Sequence, residues 1–505
     1  MEINTTNKYP YAHRVVLAIL LFTIVLANYF GEHVILCDGY GWDGCSYYKD
    51  IVINGLDEYL SNSISYYHTH RMLPFLIIHY LMKMFGISQT AQNVMNVSST
   101  INVILLFASV FFFFRISNKL KWQKHVEILA FTFSFYNFHV LKFMGYCPVM
   151  TDMPTFALCW ASACCFIENR TRLLTFLATI SMFIFPLLSF IIFLLIIMPR
   201  QEIKEGMNKF SSAMNIIMKT ILVAWLPLAF ILYIVFRYKI RGVNSINDVF
   251  IARYPENIYI AMAGTAAYIA FYYFAAKPLE YNWKEVFNVL IRPNRLKRTI
   301  MATVLFVVLY HIPQLYGFKG PFSLVNELAQ ICKFPATDIL IFIETHFLYL
   351  GVYFIFIMLY WRDICLYANK LGTGYFILMI MALFFLPDIE TRKTICFFVF
   401  IIIPLMNGIN NRNETRKGFV CIIVALQLAI SFFWLNINTV GTEESFYTYS
   451  VDTYMQWPAQ RYYMFQGPWQ SHQVYRYTLL AEAILTLSLW LYTNNKRIIA
   501  KDYEK

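Results

Sequence analysis

Charge is scarce in this chain. Of 505 residues only 14% are Asp, Glu, Lys or Arg, against 59% hydrophobic and 18% aromatic, whereas soluble domains carry about 25% charged residues. That balance excludes an ordinary soluble globular protein and points to a polytopic membrane protein. Other signatures are missing too. No Walker loop and no GxGxxG opening a helix occur, so neither ATP hydrolysis nor a dinucleotide is indicated. No CxxC and no His/Cys ligand spacing occur either, so no cofactor is called for and a divalent metal is not indicated. Heptads, a fixed repeat and low-complexity linkers are absent. The first apolar run ends in ANYFGEHVILCDGYGWDG without a small-residue cleavage pattern, so it is expected to stay as a span.

What is present is a series of apolar runs suited to a hydrocarbon core of about 30 Å. Spans are predicted near 15–30, 98–116, 126–144, 153–167, 173–186, 187–198, 220–236, 258–276, 300–316, 338–360, 374–387, 394–409, 419–436 and 478–494. Residues 73–87, LPFLIIHYLMKMFGI, are short and carry His79 and Lys83, which suits an amphipathic helix in the interface. With the N-terminus inside, KLKWQK (119–124), PRQEIKEGMNK (199–209), Lys277 to Arg298 and NKRIIAK (495–501) all fall on the cytoplasmic side, as the positive-inside rule requires. The expected fold is therefore all-α, with about 14 membrane helices (12 to 14) and both termini cytoplasmic. The net charge of +12 reflects this asymmetry and anionic headgroups, not nucleic acid. Two modules are expected. Residues 1–198 carry outward loops 31–97 and 145–152, and residues 199–505 carry 237–257, 317–337, 388–393 and 437–477.

Four outward clusters hold the candidate chemistry. In CDGYGWDGCSYYKDIV (37–52), Asp43 is a candidate general base screened by Trp42, Tyr47 and Tyr48, with Asp38 as a second carboxylate. Capping of the following helix is the competing reading. Cys37 and Cys45 bracket the motif, leaving a disulfide or free thiols open. In YYHTHRMLP (66–74), Arg71 can clamp a lipid phosphate with His70 beside it, or simply anchor a helix to headgroups. In GYCPVMTDMPTF (145–156), Asp152 is a second outward carboxylate or a helix cap. In FFLPDIETRKT (384–394), Asp388, Glu390, Arg392 and Lys393 crowd a tight turn suited to phosphate or sugar contacts. Aromatics of 437–477, Trp457 and Trp469 among them, suit stacking on sugar rings or an interfacial belt.

An outward DGCSYY element after the first span, HRMLP opening a short helix, a later outward Asp and a late acidic-Arg turn together resemble the C-type superfamily of membrane glycosyltransferases (GT-C). The resemblance covers the layout of most of the chain. It implies a sugar donor on a polyprenyl phosphate, transfer on the outer face, Asp43 as the catalytic carboxylate and Asp152 as the second-loop carboxylate. Arg71 and Arg392 correspond to phosphate-contacting positions. The chain has neither the lysine-proline-proline element of aminoarabinose transferases nor the WWDYG-like signature of oligosaccharyltransferases. Its layout is closest to bacterial inner-membrane transferases that decorate lipopolysaccharide O-antigen or other envelope glycans from the periplasmic side. The partners implied are the donor lipid, a glycan or lipid-linked acceptor, and membrane lipids.

Two rival classes make different demands. A lipid-linked glycan transporter or flippase needs ionisable residues along a path through the membrane, and few lie in predicted spans to serve, His311, Glu344, His346 and Glu482 among them. A glycan polymerase or ligase favours an Arg-rich outward loop, and 437–477 holds only Arg461 and Arg476.

The charge asymmetry makes a first prediction. Cysteine labelling or reporter fusions should place Lys121, Arg295 and Lys496 in the cytoplasm and Asp43, Asp152 and Gln460 outside; labelling of Lys121 and Asp152 on one common side contradicts the topology.

Overall fold

A computed structural model of the protein describes residues 11–200, 208–235, 257–319, 339–412, 417–438 and 472–503. These residues are helical apart from turns and an isolated parallel bridge between Ser65 and Phe318. In chain order the longer helices are α1 (Ala12–Tyr29), α2 (Leu73–Met84), α3 (Ala91–Leu120), α4 (Lys124–Phe135), α5 (Asp152–Ile167), α6 (Thr171–Ser181), α7 (Pro186–Ile197), α8 (Lys209–Val235) and α9 (Asn257–Ala276). They continue as α10 (Trp283–Leu290), α11 (Pro293–His311), α12 (Ile341–Leu350), α13 (Val352–Leu359), α14 (Trp361–Leu371), α15 (Thr373–Phe385), α16 (Thr391–Arg412), α17 (Lys417–Ile430) and α18 (His472–Tyr503).

Five helices among the described residues are long and apolar enough to cross a membrane: α1, α3, the Lys209–Ala229 part of α8, α11 with its extension to Tyr316, and α16. The chain is a helical membrane protein. Several other predicted spans are shorter helices, because local breaks divide the apolar runs. Pro186 starts α7, at a position where its missing N–H costs nothing, and separates it from α6. The resulting hairpin has arms of 11 and 12 residues, each under about 20 Å at 1.5 Å per residue. The run at 126–144 breaks after Phe135 and resumes as a π-turn over His139–Phe143. The run at 338–360 breaks at Gly351, where φ is +66°.

One buried side chain heals the last two breaks. Gln427 of α17 is fully buried; its Nε2 donates to the carbonyls of Tyr136 (3.0 Å) and Leu350 (2.8 Å), and its Oε1 accepts from the Tyr353 N–H (3.3 Å). Water cannot serve those groups in an apolar bundle, so the protein must satisfy them itself. The amide lies where a Cβ on residue 351 would project, 2.7 Å from its Oε1. Position 351 therefore needs glycine for space as well as for φ.

Helix α16 is the central strut. Of its apolar window 83% is buried, against α4, α5, α12, α14 and α15. Its 22 residues span about 33 Å. One end is tied by Trp122 Nε1 to Asn407 Oδ1 (2.8 Å), by the Gln123 N–H to Asn410 Oδ1 (2.8 Å), and by Arg412 to Asp363 (2.5 Å). At the other end the turn 386–391 is held by His346, whose Nε2 donates to the Leu386 carbonyl (2.8 Å) while Nδ1 accepts from the Thr391 hydroxyl (2.8 Å). The outer helices α1, α8, α11 and α18 leave apolar side chains such as Val16, Ile217, Val304 and Leu480 exposed, as lipid-facing helices do.

Replacing Gln427 with Leu keeps the bulk of the side chain and orphans two carbonyls and an N–H. At about 1–3 kcal/mol for each unsatisfied buried group, the variant should unfold well below the wild type in a thermal melt in detergent, and Gly351→Ala should do the same. Wild-type melting in both would remove the amide from its structural role.

Candidate functional site

The stretch between α1 and α3 folds into a cap over the same end of α16 that carries the 386–391 turn. After α1, Glu32 pairs with Lys142 (2.7 Å) and accepts the N–H groups of Ile437 (2.6 Å) and Asn438 (2.9 Å). The Val34 N–H then donates to the Tyr146 carbonyl (2.9 Å). The chain turns through Cys37 and Asp38, both left-handed at φ +57° and +55°, into Gly39 at +96°. A disulfide between Cys37 and Cys45 closes this turn. Any side chain on residue 39 would collide with the Met95 thioether. The ring so formed carries Asp43 on a helical turn, half-buried. Its side chain caps nothing in the following turn, so the capping role that competes with chemistry is not filled.

The segment carrying Arg71 is pinned on two sides. Tyr66 N donates to the Phe318 carbonyl (2.9 Å), Phe318 N to that of Ile64 (3.0 Å), and Leu73 N to that of Phe183 (3.2 Å). The Arg71 guanidinium lies 4.2 Å over the Tyr67 ring and 5.1 Å from that of Phe185, contacts that fix its plane. It is therefore turned into the protein rather than spread on headgroups. Tyr48 is fully buried, stacked on Phe75 at 3.8 Å. Burial and the Asp43 carboxylate push its hydroxyl well up, and Arg71 opposes them, so Tyr48 stays protonated.

Asp152 is the first residue of α5, ahead of the apolar run. Burial raises its carboxyl above the usual Asp range while Arg392 and Arg71 oppose the shift; Asp43 and Glu390 add to it. Glu390 pairs with Arg392 Nε (3.6 Å) and Lys393 Nζ (3.4 Å). Burial pushes that carboxyl up, but the two cations outweigh it and hold Glu390 below the ordinary range. Arg392 in turn feels Asp152, Glu390, Asp43 and Tyr349, and Arg71 feels Tyr67, Tyr48, Asp43 and Arg392. Asp388 is structural, accepting the Glu390 N–H (3.0 Å).

Four remote segments thus place Asp43, Asp152 and Glu390 among Arg71, Arg392 and Lys393, with Tyr48 beside them. Burial is the largest influence on Asp152 and Glu390, yet Glu390, Arg392 and Lys393 keep 38%, 24% and 22% of their side-chain surface. The group stands at one end of the bundle with part of its surface open. Such a cluster can neutralise a phosphate with guanidinium groups and take a proton on a carboxylate.

Two candidates fall outside the cluster. Asp38 is exposed on the left-handed turn, and its charge acts on Tyr40. His70 lies within reach of the Arg71 charge but is engaged elsewhere, stacked on Tyr310 at 4.9 Å with Nε2 3.2 Å from Gln314 Nε2. Burial lowers it to about 4, so at neutral pH it brings no charge to a phosphate. The side chains of Trp42 and Tyr47, and the whole of Trp457 and Trp469, lie outside the described residues. Sequence reasoning missed Tyr67, which carries Arg71, and Tyr349 and His139, both under the influence of Arg392. Tyr67 stood in the quoted YYHTHR motif, but His139 and Tyr349 sit inside aromatic apolar runs that mark nothing.

Compared with known proteins, the chain matches no family model, no curated protein and no solved structure.

Two of the buried histidines, His68 and His70, make stability pH-dependent. Burial lowers His68 to about 3 and His70 to about 4 from 6.5, so the unfolded chain takes up protons first. Their contribution is intact above about pH 6.5 and is lost as pH falls toward 4, about 3 kcal/mol for His70. Melting in detergent should drop from pH 7 to pH 4.5, and His68→Gln with His70→Gln should make that drop shallower; an equally steep drop in the double variant contradicts this account.

Proposed function

We propose that the protein is an integral membrane glycosyltransferase of GT-C-like architecture, with about 14 membrane helices. It moves a sugar from a polyprenyl-phosphate donor to an envelope glycan or lipid-linked acceptor such as O-antigen. Transfer takes place on the outer face of a bacterial inner membrane. The observation that carries this reading is that Asp43, Asp152 and Glu390 lie within electrostatic reach of Arg71 and Arg392 at the end of an apolar bundle.

In this mechanism Asp43 takes the proton of the acceptor hydroxyl as its oxygen attacks the anomeric carbon. The anomeric C–O bond to phosphate breaks, and its electron pair departs with the polyprenyl phosphate. Arg71 and Arg392 neutralise the charge that builds on that leaving group. Asp152 lies under the influence of both arginines and Glu390 is paired to Arg392, so both act as positioning residues. The activated donor supplies the driving force, consistent with a chain that carries no nucleotide motif.

The flippase alternative fares worse on the same observations. His346 is committed to the 386–391 turn. Glu482 opens on a separate apolar recess beside Ile343 and Met358.

The test is transfer measured against donor concentration in nanodiscs. Asp43→Asn should cut transfer by about 10²-fold or more, the scale of a lost general base, while donor binding persists. Arg71→Lys and Arg392→Lys should each raise the donor requirement, since a point charge does not reproduce a bidentate fork. Undiminished transfer by Asp43→Asn overturns the assignment, equal use of a soluble nucleotide sugar overturns the lipid donor, and donor movement across the bilayer without transfer identifies a flippase.

A further inference from the structure

A cavity of 1120 Å³ runs between α9, α13, α14, α15 and α16, with walls that include Phe271, Phe274, Ile357, Phe376, Leu383 and Phe398. At one extreme it is lined by Asp363, which packs against Gly408 and pairs with Arg412; at the other it reaches Thr394. The stretch of α16 between those levels gives a depth of about 20 Å. That is the thickness of one bilayer leaflet with its headgroup layer, half of about 40–45 Å.

The rim lies at the end of the bundle opposite the candidate site. Lys277, Glu280, Arg362 and Asp363 all line it. Both carboxylates are already engaged, Glu280 by Lys219 (3.0 Å) and Asp363 by Arg412 (2.5 Å). Lys277 and Arg362 are exposed and make no ion pair among the described residues. They sit on one rim because Trp361 Nε1 donates to the Ala275 carbonyl (2.7 Å), which joins the start of α14 to the end of α9. The slot is therefore apolar, one leaflet deep, and topped by two unneutralised cations.

We propose that this cavity is a binding site for a phospholipid of net negative charge. Its phosphate lies between Lys277 and Arg362, and its acyl chains lie along the phenylalanine-lined walls. A free phosphate leaves those walls empty, and a zwitterionic lipid brings its own cation to a rim that is already positive. The site is separate from the cluster around Asp43 and stands independently of the transferase reading.

The experiment uses the full chain, delipidated in detergent and offered equal amounts of phosphatidylglycerol and phosphatidylcholine, with retained lipid measured by native mass spectrometry. Wild type should prefer phosphatidylglycerol by about tenfold, below the limit for two cations at a headgroup. The Lys277→Gln/Arg362→Gln variant should lose that preference. The Lys297→Gln/Arg298→Gln variant, with the same loss of charge away from the rim, should keep it. Ala382→Phe, which fills the slot, should release both lipids. Absence of preference in wild type, its persistence without Lys277 and Arg362, its equal loss in the control, undiminished retention by Ala382→Phe, or displacement of the lipid by inorganic phosphate would each overturn the proposal.

Discussion

Three cations held against three carboxylates at the end of an apolar bundle are the arrangement on which this architecture turns. A guanidinium surrounded by protein costs several kcal/mol unless opposite charge meets it. Arg71 and Arg392 meet it only when segments from both ends of the sequence come together. The disulfide ring around Asp43, the two-sided pinning of 64–73, the start of α5 and the His346 staple under 386–391 all serve that meeting. Take one carboxylate away and a cation is left uncompensated, so these residues answer mutation as a unit rather than one by one.

The two ends of the bundle treat charge differently. Away from the cluster, several charges sit in closed pairs, Lys277 and Arg362 excepted. Glu127 is buried and shared by His13 Nε2 (2.8 Å), Arg14 and the Ser117 hydroxyl, which ties α1 to α3 and α4. Arg115 is bidentate to Glu168. These pairs are spoken for. In the cluster Glu390 is shared by Arg392 and Lys393, and their side chains keep surface for a ligand. That contrast separates structural charge from chemical charge better than burial does.

Much of this was legible because charge is so sparse. In a chain this apolar each outward carboxylate or arginine is conspicuous, so DGCSYY, HRMLP and DIETRK could be singled out from residue type alone. Helices α1, α3, α5, α9 and α16 follow their apolar runs to within a few residues, α3 and α16 overrunning theirs. Three-dimensional direction was not legible. Nothing in the spacing says that Asp38 turns outward on a left-handed bend or that His70 stacks on Tyr310. The breaks at Tyr136 and Gly351 were hidden for a related reason. What makes them tolerable is Gln427, an amide in the middle of what reads as one more hydrophobic span.

That glutamine also sets an order of events. Its partners Tyr136 and Leu350 precede it by 291 and 77 residues, so a chain emerging from its N-terminus inserts both breaks into the bilayer long before their remedy is made. Until α17 docks, the nascent protein carries raw backbone groups in a medium that offers them nothing. Completion is then felt chemically. A truncated or stalled chain stays marked by exposed carbonyls that membrane chaperones and proteases can sense, and the N-terminal half matures only when its C-terminal half arrives.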